Sequence, residues 1–395
     1  MNDYNIQSNT ISSTIGAPHR AQVTSTERSA PKCDDGYSLG TNYEICVQTE
    51  KLGTIGRFFL QEVAREVIPE HRVGFCFRRL KPGSEYVKIL HNSEYKRSHY
   101  GNLMVCGSIW LCAVCASKIS ERRKNELIQA VNLHQGGLAM VTFTMRHSAG
   151  DSLKINLEIL NRAYRKLTSG GWFQRLKEKW GLIGSIANLE VTYGDNGWHP
   201  HKHLLYFFKN DLDGSDLENF RSELSGRYLY LLDLLGGSGL DRVAVDIVEA
   251  KTEKQKIAEY MTKTEKKPWG IEAEMTKGHV KYSPAGGLSY WELLARASEG
   301  EYKYILLVRE YAKVTKGKQS LAYSKGLRKK LGLGIIETDQ QVAEKIEEES
   351  IELARIARDI WAKISRLRLR GQLLEVSHDG DLSKIEAFLE RLYKE

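Results

Sequence analysis

The segment His199-Pro-His201-Lys-His203-Leu-Leu-Tyr-Phe-Phe constrains this chain more than any other stretch. It reads as a strand, and strand side chains alternate faces. His199, His201 and His203 therefore point the same way, successive ones roughly 7 Å apart. Asp195-Asn196-Gly197 just upstream is turn chemistry, and Ile183 to Tyr193 before it reads as a second strand. The two should pair as an antiparallel hairpin. That hairpin brings Glu190 close to the histidine face. Neutral imidazoles beside a carboxylate can hold a divalent cation and leave positions open for a phosphate oxygen, which the cation polarises as a Lewis acid. A lone His-x-His is more often a solvated pair. Three histidines in alternation, an apolar tail and a carboxylate on the neighbouring strand favour metal.

The six cysteines add a second constraint. Cys106-x5-Cys112-x2-Cys115 supplies three thiols, with Cys76 upstream as the natural fourth. Four thiolates make a closed, tetrahedral, structural zinc site. Cys33 and Cys46 lie apart from this cluster. The chain opens Met-Asn-Asp-Tyr-Asn, with neither a basic start nor an apolar stretch, so a cytoplasmic protein is expected and clustered cysteines suggest metal before disulfide. The run Tyr304-Ile-Leu-Leu-Val308 falls far short of the ~20 apolar residues that span a bilayer, so no membrane partner is expected.

The remaining pattern predicts an α+β chain of four regions. Residues 1–50, rich in Ser, Thr, Asn and Gly, read as a disordered head. Residues 51–135 hold a helix from Leu52 to Val67, the four-cysteine segment, and a basic helix from Ile119 to His134. Residues 136–335 alternate strands (138–145, 183–193, 199–208, 243–247) with helices (153–180, broken at Gly170-Gly171, then 216–235 and 251–263). Residues 336–395 read as helical. Thr338-Asp-Gln-Gln341 resembles a capping box that opens one long charged helix to about Leu369, with a final helix over 382–392. The helix over 251–263 carries Tyr260, with Lys256 and Lys263 on its face. A nearby lysine or metal favours the phenolate of a tyrosine, but Tyr260 is one of 19 tyrosines, and taken alone it reads as an ordinary helix residue. The net charge of +8 suits a polyanionic partner. Arg122 to Lys124 and the cluster Lys325, Arg328, Lys329, Lys330 are the segments expected to meet phosphates.

In this order the motifs resemble the replication initiator (Rep) family of rolling-circle plasmids, in the HUH endonuclease superfamily. The likeness covers about Cys76 to Leu331. It rests on the four cysteines with a basic helix after them, Thr142-Phe-Thr144, Glu190-Val-Thr-Tyr, His199-Pro-His201-Lys-His203, Tyr260-x-x-Lys263, and Glu310-Tyr-Ala…Tyr323-Ser-Lys-Gly-Leu327. The resemblance implies an antiparallel five-stranded sheet flanked by helices. It implies Mg²⁺ or Mn²⁺ on His201 and His203 with Glu190 as third ligand, His199 being the weaker candidate. It also implies Tyr260 as a nucleophile, assisted by Lys263, that nicks single-stranded origin DNA, forms a 5′-phosphotyrosine and leaves a 3′-OH primer. The partners implied are single-stranded and supercoiled plasmid origin DNA, a host helicase and a host polymerase.

Two features depart from that family. Lys202 stands where a bulky hydrophobe is usual, and Lys256 occupies the place of a glutamate that some relatives carry four residues before the tyrosine. Three other readings compete. A relaxase carries its tyrosine before the histidine strand, not after it. An HUH transposase lacks the cysteine cluster. A non-catalytic zinc-dependent DNA-binding regulator leaves the histidines and Glu190 without a role.

Overall fold

The computed structural model describes residues 53–237, 245–249, 287–346 and 349–394. Along the chain these form α1 (Thr54–Val67), β1 (Tyr86–Asn92), β2 (Arg97–Gly101), α2 (Ala113–Leu133), β3 (Leu138–Phe143), α3 (Leu153–Leu167), α4 (Gly170–Trp180), β4 (Leu182–Gly194), β5 (Gly197–Phe208), α5 (Gly214–Asp233) and β6 (Val245–Glu249). After them come α6 (Tyr290–Ser298), α7 (Tyr302–Thr315), β7 (Leu321–Tyr323), α8 (Leu327–Lys330), α9 (Asp339–Glu344), β8 (Ile351–Ala357), α10 (Arg358–Arg366), α11 (Arg370–Val376) and α12 (Leu382–Lys394). The fold is α+β, with antiparallel sheets flanked by helices. The predicted head over 1–50 lies outside the described residues.

The larger sheet runs β6-β3-β5-β4-β7, every neighbour antiparallel. At its centre β4 and β5 form the expected hairpin, closed between Gly194 and Gly197. Gly197 has φ +83°, and a Cβ there would come within 2.9 Å of Ala149 Cα, so no other residue fits that turn comfortably. Alternation then sorts the β5 side chains. Leu204, Tyr206 and Phe208 pack on one face against Leu157 and Leu160 of α3 and Phe220 and Tyr228 of α5. Leu205 and Phe207 pack on the other face against Leu127, Ala130 and Val131 of α2. The helices start where side chains can satisfy their free N–H groups: Ser152 caps α3, and Asp213 with Asp216 makes a capping box on α5.

A second sheet, β2-β1-β8, was not foreseen. The long charged helix expected from Thr338 to about Leu369 is instead a short helix (α9), a strand (β8) and another helix (α10). The stretch Ile351-Glu-Leu-Ala-Arg-Ile-Ala is composed largely of helix formers, but β8 pairs along β1 from Tyr86↔Ala357 to His91↔Ile351 with a shift at Ile89/Leu90. That pairing puts Ile356 into a core with Val87, Ile89, Tyr100, Trp361, Leu373 and Ile385. Burying Ile356 outweighs the helical propensity of its neighbours.

Arg370 at the start of α11 locks this C-terminal packing onto α1. It is 1% exposed. It pairs with Glu62 of α1, and donates to Gln61 Oε1 (3.1 Å) and to the carbonyls of Cys76 (3.3 Å) and Phe77 (2.8 Å). Removing one member of a buried ion pair leaves the other charge uncompensated. Arg65 also pairs with Glu62, at 2.6 Å, so the loss is partial. Arg370→Ala is expected to destabilise the protein by about 3 kcal/mol, read as a lower urea midpoint with an unchanged slope.

Candidate metal centres

The hairpin register sets Glu190 directly opposite His201, and Asn188 opposite His203. One carboxylate oxygen, Glu190 Oε2, lies 3.3 Å from His201 Nε2 and 3.3 Å from His203 Nε2. One ligand atom from each of the three residues falls within 4.8 Å of the others, and Glu190 and His203 are buried. The opposite edge of each ring is held. His203 Nδ1 meets Thr142 Oγ1 of β3 at 3.0 Å, and His201 Nδ1 meets the His199 carbonyl at 3.3 Å. A histidine whose Nδ1 proton goes to a carbonyl presents its Nε2 lone pair outward, the state that binds metal. The site could therefore hold a divalent cation on two imidazoles and a carboxylate.

His199 does not join this group. Its Nε2 meets Thr144 Oγ1 at 2.7 Å and its ring stacks on His147 at 4.7 Å. Burial, then the neighbouring His201 and His147, push its pKa down to about 4. Thr142, paired opposite His203 on β3, and Thr144, just past the end of that strand, thus steady His203 and His199. Glu310 is a further residue whose part was not foreseen. It accepts from the Leu153 amide (2.8 Å) and from Trp198 Nε1 (2.8 Å), tying α7 to the start of α3 and to β5 one residue before His199. Lys202 points to the other face, where its Nζ lies 5.2 Å from the Tyr164 ring centre, and burial lowers its pKa to about 8.

The four thiols of Cys76, Cys106, Cys112 and Cys115 form the second group, all buried. Three Sγ–Sγ separations are 3.5 Å (76–115), 3.7 Å (106–115) and 3.8 Å (76–112). A tetrahedral Zn–S bond of about 2.3 Å implies edges of about 3.8 Å, so the donor set fits such an ion. Cys112 is also the N-cap of α2, its sulfur facing the Cys115 amide, and it accepts from Gln61 Nε2 at 3.1 Å. Burial works against the Cys112 thiolate, yet hydrogen bonds from the other three thiols and the Cys115 amide hold its pKa well below the usual thiol range. Burial, then hydrogen bonding with the Cys106, Cys112 and Cys115 thiols, pushes Cys76 up.

Tyr260, Lys263 and Lys256 lie outside the described residues. Two other tyrosines of the second half, Tyr290 and Tyr323, are poorly suited to attack. Tyr290 is 3% exposed and stacked on Tyr311 at 4.7 Å, with burial raising its pKa well above the usual phenol range. Burial pushes Tyr323 up to about 12. Much of the positive charge expected to meet phosphates is engaged internally. Arg122 pairs with Glu126 and Glu337, Arg123 with Glu126 and Asp339, and Arg328 with Glu126. Lys330 donates to the Ile183 carbonyl.

These features define an α+β protein with a histidine–carboxylate centre on an antiparallel sheet and a four-thiol centre at the start of the helix beneath it. Residues 102–216, which run from just before the thiol loop through β5, match the family model described as replication protein. That match bears out the likeness of the motifs to plasmid replication initiator (Rep) proteins. Among similar proteins, "Protein rep" of Streptomyces lividans is 28% identical over 296 residues, 58% of this chain and 64% of that one. "Protein rep" of Bacillus amyloliquefaciens is 24% identical over 213 residues, 48% and 61%. "Neomycin resistance protein" of Streptomyces cyanogenus is 34% identical over 140 residues, 28% and 32%. The chain thus spans less than two thirds of the length of each of these relatives. No solved structure matches.

The thiol geometry predicts a tetrahedral ion site. Protein reconstituted with Co²⁺ should show the sulfur-to-metal absorption of a thiolate tetrahedron, saturating at one equivalent whatever the histidine–carboxylate centre binds besides. Cys112→Ser should remove that band and lower the melting temperature, since it deletes both a ligand and the cap of α2. Absence of any sulfur band at saturating Co²⁺ would show that the thiols are not ligands.

Proposed function

We propose that this chain initiates rolling-circle replication of a plasmid by nicking and rejoining single-stranded origin DNA, as an HUH endonuclease whose activity resides in residues 136–335. The observation that carries this reading is the convergence of His201 Nε2 and His203 Nε2 on one oxygen of Glu190. Two imidazoles and one carboxylate leave coordination positions open, as a catalytic ion requires and a structural one does not. A divalent cation held there, Mg²⁺ or Mn²⁺, supplies Lewis-acid polarisation of the scissile phosphate. The four thiols hold a structural Zn²⁺ in the same reading.

The chain's own residues do the rest. Tyr260 is the nucleophile. Its phenolic oxygen, deprotonated with help from the positive charge of Lys263, bonds to phosphorus while the bond to the 3′ oxygen breaks. That oxygen takes up a proton and leaves as the 3′-OH. The 5′-phosphotyrosine conserves the phosphodiester bond energy, so the 3′-OH can attack in reverse and restore the strand without ATP. Thr142 and the His199 carbonyl keep the ligand imidazoles in register. The primer would pass to a host polymerase and the template to a host helicase, in the cytoplasm. Among the described residues no helix is long and apolar enough to cross a membrane. A regulator without catalysis would give the Glu190–His201–His203 cluster nothing to do.

Two experiments test the reading. Wild-type protein should cleave single-stranded origin DNA only with Mg²⁺ or Mn²⁺, and the double variant His201→Ala/His203→Ala should lose cleavage with zinc content unchanged. Undiminished cleavage by that double variant would sink the metal assignment. For the nucleophile, Tyr260→Phe keeps the ring and removes only the attacking oxygen. It should bind DNA and metal as wild type does while losing both cleavage and the covalent 5′ adduct. An active Tyr260→Phe, or an adduct mapped to another tyrosine, would refute the choice.

A further inference from the structure

We propose that a groove on the second sheet, lined by Arg78, Arg79 and Arg358, binds the phosphate backbone of duplex DNA, apart from the histidine–carboxylate centre. The groove encloses about 300 Å³ between the segment just after Cys76 and the first turns of α10. Its lining is Arg78, Arg79, Leu80, Arg358, Trp361 and Ala362, with no carboxylate among them. All three arginines are exposed. Among the described residues neither Arg78 nor Arg79 has an acidic partner, and Arg358 makes a single hydrogen bond, to the Ser84 carbonyl at 3.2 Å.

This sets the groove apart from the basic segments singled out from sequence. Arg122, Arg123 and Arg328 are already paired with carboxylates, as is nearby Arg355 with Glu352. Three unpaired like charges facing one concavity repel one another and gain only when an anion enters. The guanidinium fork matches phosphate oxygens in pairs, and a polyphosphate backbone can engage three forks together, releasing a condensed counterion at each.

The arginines are also held at their backbones, so less order is lost on binding. The Arg78 carbonyl accepts from Trp361 Nε1 at 3.1 Å, and the Arg79 carbonyl from the Met104 amide at 2.8 Å. Trp361 itself is 1% exposed and packs on Tyr100 at 4.8 Å. One side of the groove starts two residues after a thiol ligand and the other is the start of α10, so both walls stand on rigid supports. The choice of DNA as the polyanion rests on the functional reading above; the charge geometry does not.

The test is the salt dependence of binding by the full-length protein to a fluorescent duplex of about 30 base pairs, between roughly 50 and 200 mM NaCl. Arg78→Gln/Arg79→Gln/Arg358→Gln should flatten the log–log slope by about 0.9 per lost contact, so by about 2.7 in all. Arg78→Lys/Arg79→Lys/Arg358→Lys should keep most of it. If the glutamine triple proves unstable on melting, Arg78→Gln/Arg79→Gln should still lower the slope by about 1.8. An unchanged slope in a folded glutamine variant overturns the proposal. So does a lysine triple that loses as much as the glutamine triple, since the loss would then be packing rather than charge. Saturable binding of inorganic pyrophosphate that the glutamine triple abolishes, with the duplex slope unaltered, would assign the groove to a small anion instead. The readout is binding, so a mistaken nucleophile would leave it unmoved and the two readings fail separately.

Discussion

The register of a single hairpin governs the histidine–carboxylate centre. Strand side chains alternate, so the pairing that places Glu190 opposite His201 also fixes which face His203 takes and which face buries Leu204, Tyr206 and Phe208. A slip of one residue would turn the histidines toward α3 and α5 and bring Lys202 to the carboxylate. Three constraints oppose such a slip: the tight Gly194–Gly197 closure, the apolar core on both faces, and the Thr142 hydroxyl on the third strand, which meets His203 only in this register. Glu310 acts from outside the sheet to the same end by holding Trp198.

The four-thiol centre is tied into the fold through hydrogen bonds rather than apolar contact alone. Gln61 links the Cys112 sulfur to Arg65 and Arg370, and the carbonyl of Cys76 accepts from both arginines. Helix α2, capped by Cys112, runs on to cover the sheet face that carries the histidines. The sulfur cluster therefore braces two layers: the helix that backs the sheet and the C-terminal helices that close the second one.

Much of this was legible in the sequence because it depends on local pattern. Period-two alternation with a turn between gave the hairpin and Glu190, and cysteine spacing gave the thiol cluster. Gly170-Gly171 marked the break between α3 and α4. What was missed depends on partners remote in the chain. Ile351 to Ala357 has the composition of a helix and becomes a strand only because β1 offers it an edge. The charge of Arg122 and Arg123 could be read, but not that Glu337 and Asp339 return to neutralise it. Thr142 and Thr144 are ordinary strand residues until cross-strand pairing sets them beside imidazoles. Tyr260 and Lys263 rest on sequence alone, since the structure describes neither.

The ion pair of Arg370 with Glu62 bridges 308 residues of chain, and β8 joins β1 across a similar span. Contacts of such sequence separation form late, because a long loop must close before they gain anything. During synthesis the N-terminal end of the chain emerges first, so β1 can pair with β2 at once, but its other edge and Glu62 of α1 must wait for β8 and Arg370, some 260 to 308 residues further on. The β4–β5 hairpin and its helices need no such delay. A ribosome-bound chain would thus hold a formed histidine centre beside an open hydrophobic edge on β1, an interval in which a chaperone or a second nascent chain could compete for the place that β8 later fills.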